Sequence, residues 1–342
     1  LGPGKISLAH DEYDPITNSF INLIIIPGSK PEYVVFEANQ EAGSPPATIL
    51  AKFNDPNVAY LHSFSSTRRY VVIQLWPLSY GIKGLKIQFS NCLTDAMEWD
   101  LNRATRFVVI DRLEKRVVAE YQHPADFCFH TVNAFDDENG DVVMDMILHR
   151  TGEVVHAFKM ADLKNSNDPA VVSNLRAFMS PSFVRIKLPN LQEERTRFVG
   201  GNLKMSPHAP NTEVMFVEYP NMEFPTINPK WRHDAGYQFV YAVAGQCRDM
   251  HFHALFDCLV KFDTRSRTQK RWMKVGHTPS EPVFVPNPEG DGSEDDGVVL
   301  SVVLDGSSAK SYLLVLDGKT FEQVAIADVG RPLPYGLHGA FV

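Results

Sequence analysis

Short apolar runs separated by turn residues dominate the chain. They are rich in Val, Ile, Phe and Tyr, which favours β-strands. The runs are Phe20–Ile26, Tyr33–Phe36, Tyr70–Trp76, Phe107–Ile110, Val142–Ile147, Val214–Val217, Phe239–Val243, Val298–Leu304 and Tyr312–Leu316. Asn139-Gly140 between two of them is typical of a hairpin. Helical periodicity is confined to Asn91–Asn102 and Asp168–Ala177, so the pattern predicts an all-β fold with short helical insertions.

A repeat of strand, aspartate, tight turn and strand occurs at Asp111, Asp263 and Asp317. A carboxylate at this position accepts backbone N–H groups two residues further on and fixes the turn. The last two aspartates are 54 residues apart and the first two 152, about three such steps. A period near 50 residues with several strands indicates β-propeller blades. Unrelated hairpins of a β-sandwich are the alternative.

Composition and charge narrow the classes of partner. The 342 residues are 44% hydrophobic and 22% charged, enough to build a sizeable core. The net charge of −8 argues against nucleic acid, and no apolar run reaches the length of a membrane span. Four cysteines occur without a C-x-x-C pair: Cys92, Cys128, Cys247 and Cys258. We interpret them as reduced core residues of a cytoplasmic protein, with no protein partner indicated.

Four of the twelve histidines stand apart by their context: His10, His62, His130 and His338. The first two are 52 residues apart, one period of the aspartate repeat; the following gaps are 68 and 208 residues. In a propeller, equivalent positions of different blades converge on the central axis, so these histidines can meet at one ion. Neutral imidazoles suit iron, copper, zinc and nickel. A single histidine would more often be a hydrogen-bonded core residue.

Three of these histidines lie in segments that resemble the metal-ligand segments of the carotenoid cleavage oxygenases. The segments are Leu61–Thr67, Phe129–Phe135 and Tyr335–Phe341. Ala9-His10 matches the first ligand segment, except that Asp11 stands where the family usually has proline. The resemblance covers the chain from Ala9 to Phe341.

Two glutamates extend the resemblance. Glu223 and Glu281 are similar to the family's glutamates that accept the outer N–H of ligand histidines. Such a partner fixes the tautomer and direction of the ring and increases its basicity.

The resemblance implies a seven-bladed β-propeller with a helical cap over the metal site. It implies Fe²⁺ held by the four histidines, and O2-dependent cleavage of a C=C bond in a carotenoid or apocarotenoid to give aldehydes. The lipophilic polyene substrate implies peripheral membrane contact. Because family members have blade strands before the first ligand, we expect residues 1–342 to form one propeller domain without its N-terminal portion.

Four alternatives remain open from the sequence. Two are enzymes of the same family, a stilbene-cleaving dioxygenase and a retinoid isomerohydrolase. The third is a catalytically inactive propeller that binds a ligand or partner. A zinc hydrolase is the most distant, because catalytic zinc usually has three protein ligands.

Overall fold

The computed structural model describes most of the chain. It covers residues 4–14, 17–41, 43, 47–90, 92–159, 164–165, 168, 170–171, 173, 181–198, 209–218, 221–245, 256–334 and 336–341. The chain divides into two compact units: Leu1–Phe158 with Arg185–Phe216, and Lys159–Val184 with Val217–Val342. Over the described ranges, the strands form six sheets built mainly of antiparallel pairs.

Three sheets lie in the first unit. Sheet A has the order β1-β3-β4-β5, with β2 also paired to β3: β1 (Ile6–Ser7), β2 (Glu12–Asp14), β3 (Ser19–Ile26), β4 (Glu32–Asn39) and β5 (Thr48–Asn54). Sheet B has the order β10-β9-β6: β6 (Val58–Ala59), β9 (Leu78–Tyr80) and β10 (Met97–Trp99). Sheet C has the order β12-β11-β8-β7: β7 (Ser65–Ser66), β8 (Tyr70–Leu75), β11 (Thr105–Asp111) and β12 (Arg116–His123). Every residue of β8 and β11 is buried, which explains their continuous apolar runs.

The other three sheets follow along the chain. Sheet D runs β13-β14-β15-β16: β13 (Phe127–Asp136), β14 (Val142–His149), β15 (Ser182–Leu188) and β16 (Glu213–Glu218). Sheet E runs β17-β18-β19-β20: β17 (Met222–Thr226), β18 (Phe239–Ala244), β19 (Cys258–Asp263) and β20 (Thr268–Met273). Sheet F runs β21-β23-β24-β25, with β22 also paired to β23: β21 (His277–Pro279), β22 (Val283–Pro286), β23 (Gly297–Asp305), β24 (Lys310–Asp317) and β25 (Gln323–Asp328).

All nine strands predicted from the apolar runs are confirmed, and the all-β class with them. The helical segments whose bounds fall within the described residues are short: the α-helix α1 (Leu191–Arg197) and 3-10 turns at Ile82–Phe89, Leu93–Ala96, Gly152–Phe158 and Pro229–Trp231. None of the helices in the described part of the chain has the length and apolar character needed to cross a membrane.

The aspartate repeat is confirmed in three sheets. Each aspartate ends the strand that pairs with the last strand of its sheet, and its Oδ1 accepts two backbone N–H groups of the turn. For Asp111 the donors are Leu113 and Glu114, at 2.8 and 3.0 Å. Asp263 and Asp317 accept the equivalent pairs at 2.8 and 3.1 Å and at 2.9 and 2.6 Å. The repeated sequence pattern therefore corresponds to a strand pair and turn that recur in sheets C, E and F.

Two sequence predictions need correction. Asn91–Asn102 was predicted to be helical, but its described residues form the 3-10 turn Leu93–Ala96 and then β10, because Met97–Trp99 pairs with β9. Cys92 was predicted to be a core residue, but it is exposed beside that turn, whereas Cys128 and Cys258 are buried. Cys247 and most of Asp168–Ala177 lie outside the described residues.

Candidate metal site

Three of the four predicted ligands lie in, or just before, an edge strand of sheets A, C and D. His10 lies two residues before β2, His62 lies three residues before β7, and His130 lies within β13. Each of these strands is the edge strand that pairs with only one neighbour in its sheet. The shared position explains how residues 52 and 68 apart in sequence come together.

The three imidazoles surround one point. Nε2 of His10 and Nε2 of His62 are 3.2 Å apart. The ring centroids are separated by 4.8 Å for His10–His62, 5.0 Å for His62–His130 and 5.2 Å for His10–His130. Two nitrogens that each bond one ion at about 2.1 Å, roughly 90° apart, lie about 3 Å from each other. The donor set and its spacing therefore fit a first-row transition metal.

Tyr60 is a partner of His62 that the sequence analysis missed. Its hydroxyl lies 2.9 Å from Nδ1 of His62. Burial raises the pKa of Tyr60 to about 12, so the phenol is neutral at ordinary pH. With Nε2 as metal ligand, Nδ1–H of His62 donates to the Tyr60 oxygen. The signal in the sequence is the spacing of two residues, which places both side chains on one face of an extended segment.

Aromatic side chains enclose this group. Phe129 meets the His62 ring edge-on at a centroid distance of 5.3 Å. Phe127 lies 4.7 Å from Phe129 and packs against Tyr60 at 6.0 Å. His130 is only 8% exposed. These rings provide an apolar surface beside His62.

In the second unit, Glu281 holds His338. Its Oε1 lies 3.0 Å from Nδ1 of His338, and its Oε2 accepts the backbone N–H of Gly339 at 2.9 Å. Glu281 lies two residues before β22 in sheet F. The contact with Nδ1 makes Nε2 the nitrogen by which His338 would bind a metal. A mostly apolar cavity of about 430 Å³ adjoins this pair.

Glu223, the other predicted glutamate, is buried in β17, the first strand of sheet E. Its Oε2 accepts the backbone N–H of Phe224 at 3.0 Å. Phe224 has a φ of 52°, an uncommon conformation for a bulky residue, and its ring lies 5.2 Å from that of His338. The irregular backbone at this point accompanies a shift in the register between β17 and β18.

Comparison with known proteins places these features in a family. The family model described as retinal pigment epithelial membrane protein (RPE65) matches residues 2–342. A carotenoid dioxygenase of Neurospora crassa is 33% identical over 99% of this chain and 56% of its own length. A torulene dioxygenase of Fusarium fujikuroi is 32% identical over 98% of this chain and 59% of its own length. The chain thus spans little more than half of these two proteins.

Solved structures show the fold. Cobalt-substituted apocarotenoid oxygenase of Synechocystis superposes with a TM-score of 0.75 at 19% identity, covering 100% of this chain and 66% of that one. A chimera of that oxygenase with RPE65 gives a TM-score of 0.76 at 19% identity, covering 99% of this chain and 65% of the chimera. The predicted propeller fold is confirmed. The match over residues 2–342 and the two dioxygenase relatives show that the chain belongs to the RPE65/carotenoid oxygenase family.

Proposed function

We propose that this protein is an Fe²⁺-dependent dioxygenase that cleaves a C=C bond of a carotenoid or apocarotenoid with O2 to give aldehydes. The observation that carries the proposal is the convergence of His10, His62 and His130 from three sheets. The names of the relatives, carotenoid dioxygenase and torulene dioxygenase, support a carotenoid substrate.

His338 is the proposed fourth ligand. Its contact with Glu281 is the arrangement that orients a ligand histidine and fixes its tautomer. We assign Glu223 the same role, that of orienting a ligand histidine, for another ligand of the site. Its carboxylate is buried in the first strand of its sheet, where it can accept an imidazole N–H. Four imidazoles carry no charge, so the two carboxylates also offset the charge of a divalent cation.

When bound, iron supplies the redox chemistry by which O2 reacts with the alkene. The protein's own contribution is positional. Tyr60 and Glu281 each contact Nδ1 of a histidine, which leaves Nε2 of that histidine as the nitrogen that would bind the metal. Phe129 provides apolar surface beside His62, and Phe127 packs against Phe129. No side chain is required as an acid, base or nucleophile.

The test is iron content together with product analysis. Purified protein reconstituted anaerobically is expected to hold about one iron per chain and to convert torulene or an apocarotenal into two carbonyl products. His62→Ala should lose most of the iron and the activity. His156→Ala is the matched control, because His156 lies in a 3-10 turn beside Glu153, outside the cluster. Full iron and activity in His62→Ala would contradict the assignment.

We also propose that the protein contacts a membrane surface through the 3-10 turns that begin at Ile82. Ile82 and Phe89 are 71% and 78% exposed, and Leu85 and Leu93 about half exposed. Ile82 is held at a φ of 52°, which is strained for a β-branched residue. Large apolar side chains exposed so close together in the sequence are typical of a surface that meets lipid or a partner, and a lipophilic substrate favours lipid.

Vesicle co-sedimentation tests this surface. Phe89→Ser should weaken binding to phosphatidylcholine–phosphatidylserine vesicles by about tenfold or more, because a large buried apolar side chain contributes about 1.5–3 kcal/mol. Leu113→Ser is the control, since Leu113 is equally exposed in the turn between β11 and β12. Equal binding by both variants would refute the location.

A further inference from the structure

The strand that carries His130 is irregular at that residue. Register shifts in the pairing of β13 with β14 fall between Cys128 and Thr131 and again between Thr131 and Asn133. Such irregularities interrupt the regular ladder and redirect side chains. The backbone around His130 also has hydrogen-bond partners from outside its own sheet.

Ser63, the residue after His62, supplies those partners. Its hydroxyl donates to the carbonyl oxygen of Phe129 at 2.6 Å and accepts the backbone N–H of Thr131 at 3.2 Å. One side chain thus bonds the residues on both sides of His130. Ser63 is 6% exposed, so water competes little for these bonds.

Thr131 makes the reciprocal contact. Its hydroxyl donates to the carbonyl oxygen of Phe64 at 3.0 Å. Phe64 is fully buried and lies two residues after His62. Three hydrogen bonds therefore join the segment of His62 to the segment of His130, and a hydroxyl from each segment takes part.

We propose that Ser63 and Thr131 are positioning residues that set the separation of His62 and His130 for metal binding. The inference rests on the proposed function, in which both histidines are ligands. Bound metals require their ligands within about 0.5 Å of the productive geometry. Hydrogen bonds within two residues of each ligand hold the backbone from which both imidazoles project. Neither hydroxyl contacts an imidazole in the bonds described, so their effect is on geometry.

A purely structural role would lower stability without affecting the metal, so the test measures both. The probe is Co²⁺ added to the purified protein, with affinity from chelator competition and geometry from the visible absorption bands. Ser63→Ala and Thr131→Val should each weaken Co²⁺ binding about 10- to 100-fold, the usual effect of losing an outer-shell contact, and should shift the bands. Thr131→Ser retains the hydroxyl and should bind as the wild type does.

Ser65→Ala is the matched control. Ser65 is equally buried, lies two residues away, and accepts a 2.8 Å hydrogen bond from Gln74. This variant should lower the unfolding midpoint while leaving Co²⁺ affinity and bands unchanged. Wild-type affinity and bands in both Ser63→Ala and Thr131→Val would overturn the inference, as would equal weakening in Ser65→Ala. A wild-type protein that binds no Co²⁺ would instead overturn the proposed metal site itself.

Discussion

Replacing Asp111 by alanine tests what stabilises the repeated turn. Like Asp317, Asp111 accepts two backbone N–H groups. Unlike Asp317, it is fully buried and also pairs with two guanidinium groups, those of Arg69 at 3.1 Å and of Arg195. A neutral hydrogen bond contributes about 1 kcal/mol net, and one to a charged group about 1.5–3 kcal/mol.

These magnitudes give separate expectations for three variants. With about 1 kcal/mol for each turn bond, about 1.5–3 kcal/mol for the bond to buried Arg195 and up to about 1 kcal/mol for that to half-exposed Arg69, Asp111→Ala should lower the free energy of unfolding by about 4–6 kcal/mol, whereas Asp317→Ala should lower it by about 2 kcal/mol. Asp111→Asn retains an oxygen acceptor for the turn but removes the charge, so its loss should lie between them, at about 2–3 kcal/mol. Urea unfolding followed by tryptophan fluorescence measures all three. Equal losses for Asp111→Ala and Asp317→Ala would refute the reasoning.

The pH dependence of the free energy of unfolding tests the same contacts of Asp111. Burial of the Asp111 carboxyl opposes its ionisation, but hydrogen bonds from Arg195, the Glu114 amide and Arg69 outweigh burial and lower its pKa. The stabilisation by Asp111 is therefore present above the unfolded-state pKa of about 4 and is lost as the pH falls through the lower folded-state value. The difference between wild type and Asp111→Ala should shrink below about pH 4; a difference that grows there would contradict this account.

Two further predictions concern a buried ion cluster and a ligand partner. Arg106 pairs with Asp55 and Glu120, and all three side chains are buried. Arg106→Met should lower the free energy of unfolding in urea by about 3–5 kcal/mol, because two carboxylates lose their partner. A loss under about 1 kcal/mol, as for an exposed pair, would show that the cluster is solvated. Tyr60→Phe removes the hydroxyl that lies 2.9 Å from Nδ1 of His62. This variant should weaken metal affinity about tenfold or more, with little change in the unfolding midpoint. Unchanged affinity would show that the contact does not orient the His62 ring.

Sequence patterns predicted the parts of this fold that depend on one short segment at a time. A run such as Val298–Leu304 is apolar because β23 lies in the middle of its sheet, and Asp317 ends a strand because its carboxylate closes the next turn. The 52-residue spacing of His10 and His62 reflects equivalent positions in two sheets. Such features repeat, so they can be recognised.

Features that depend on contacts between segments were not predicted. The hydroxyl of Ser63 has this role only because the fold brings it to Phe129 and Thr131, which are 66 and 68 residues away in sequence. Likewise, β10 forms because Met97–Trp99 meets β9, a pairing that outweighs the weak helical pattern of that segment. The identity of a bound metal depends on ligand geometry as well as residue type, so the histidines alone could not decide it.

X-ray absorption of the iron-reconstituted protein tests the central claim most directly, that the converging histidines hold the metal. The account predicts an iron K-edge spectrum fitted by nitrogen and oxygen neighbours, with the multiple scattering of four imidazole rings, falling to three in His338→Ala. Sulfur neighbours, or three or fewer imidazoles in the wild-type protein, would contradict it.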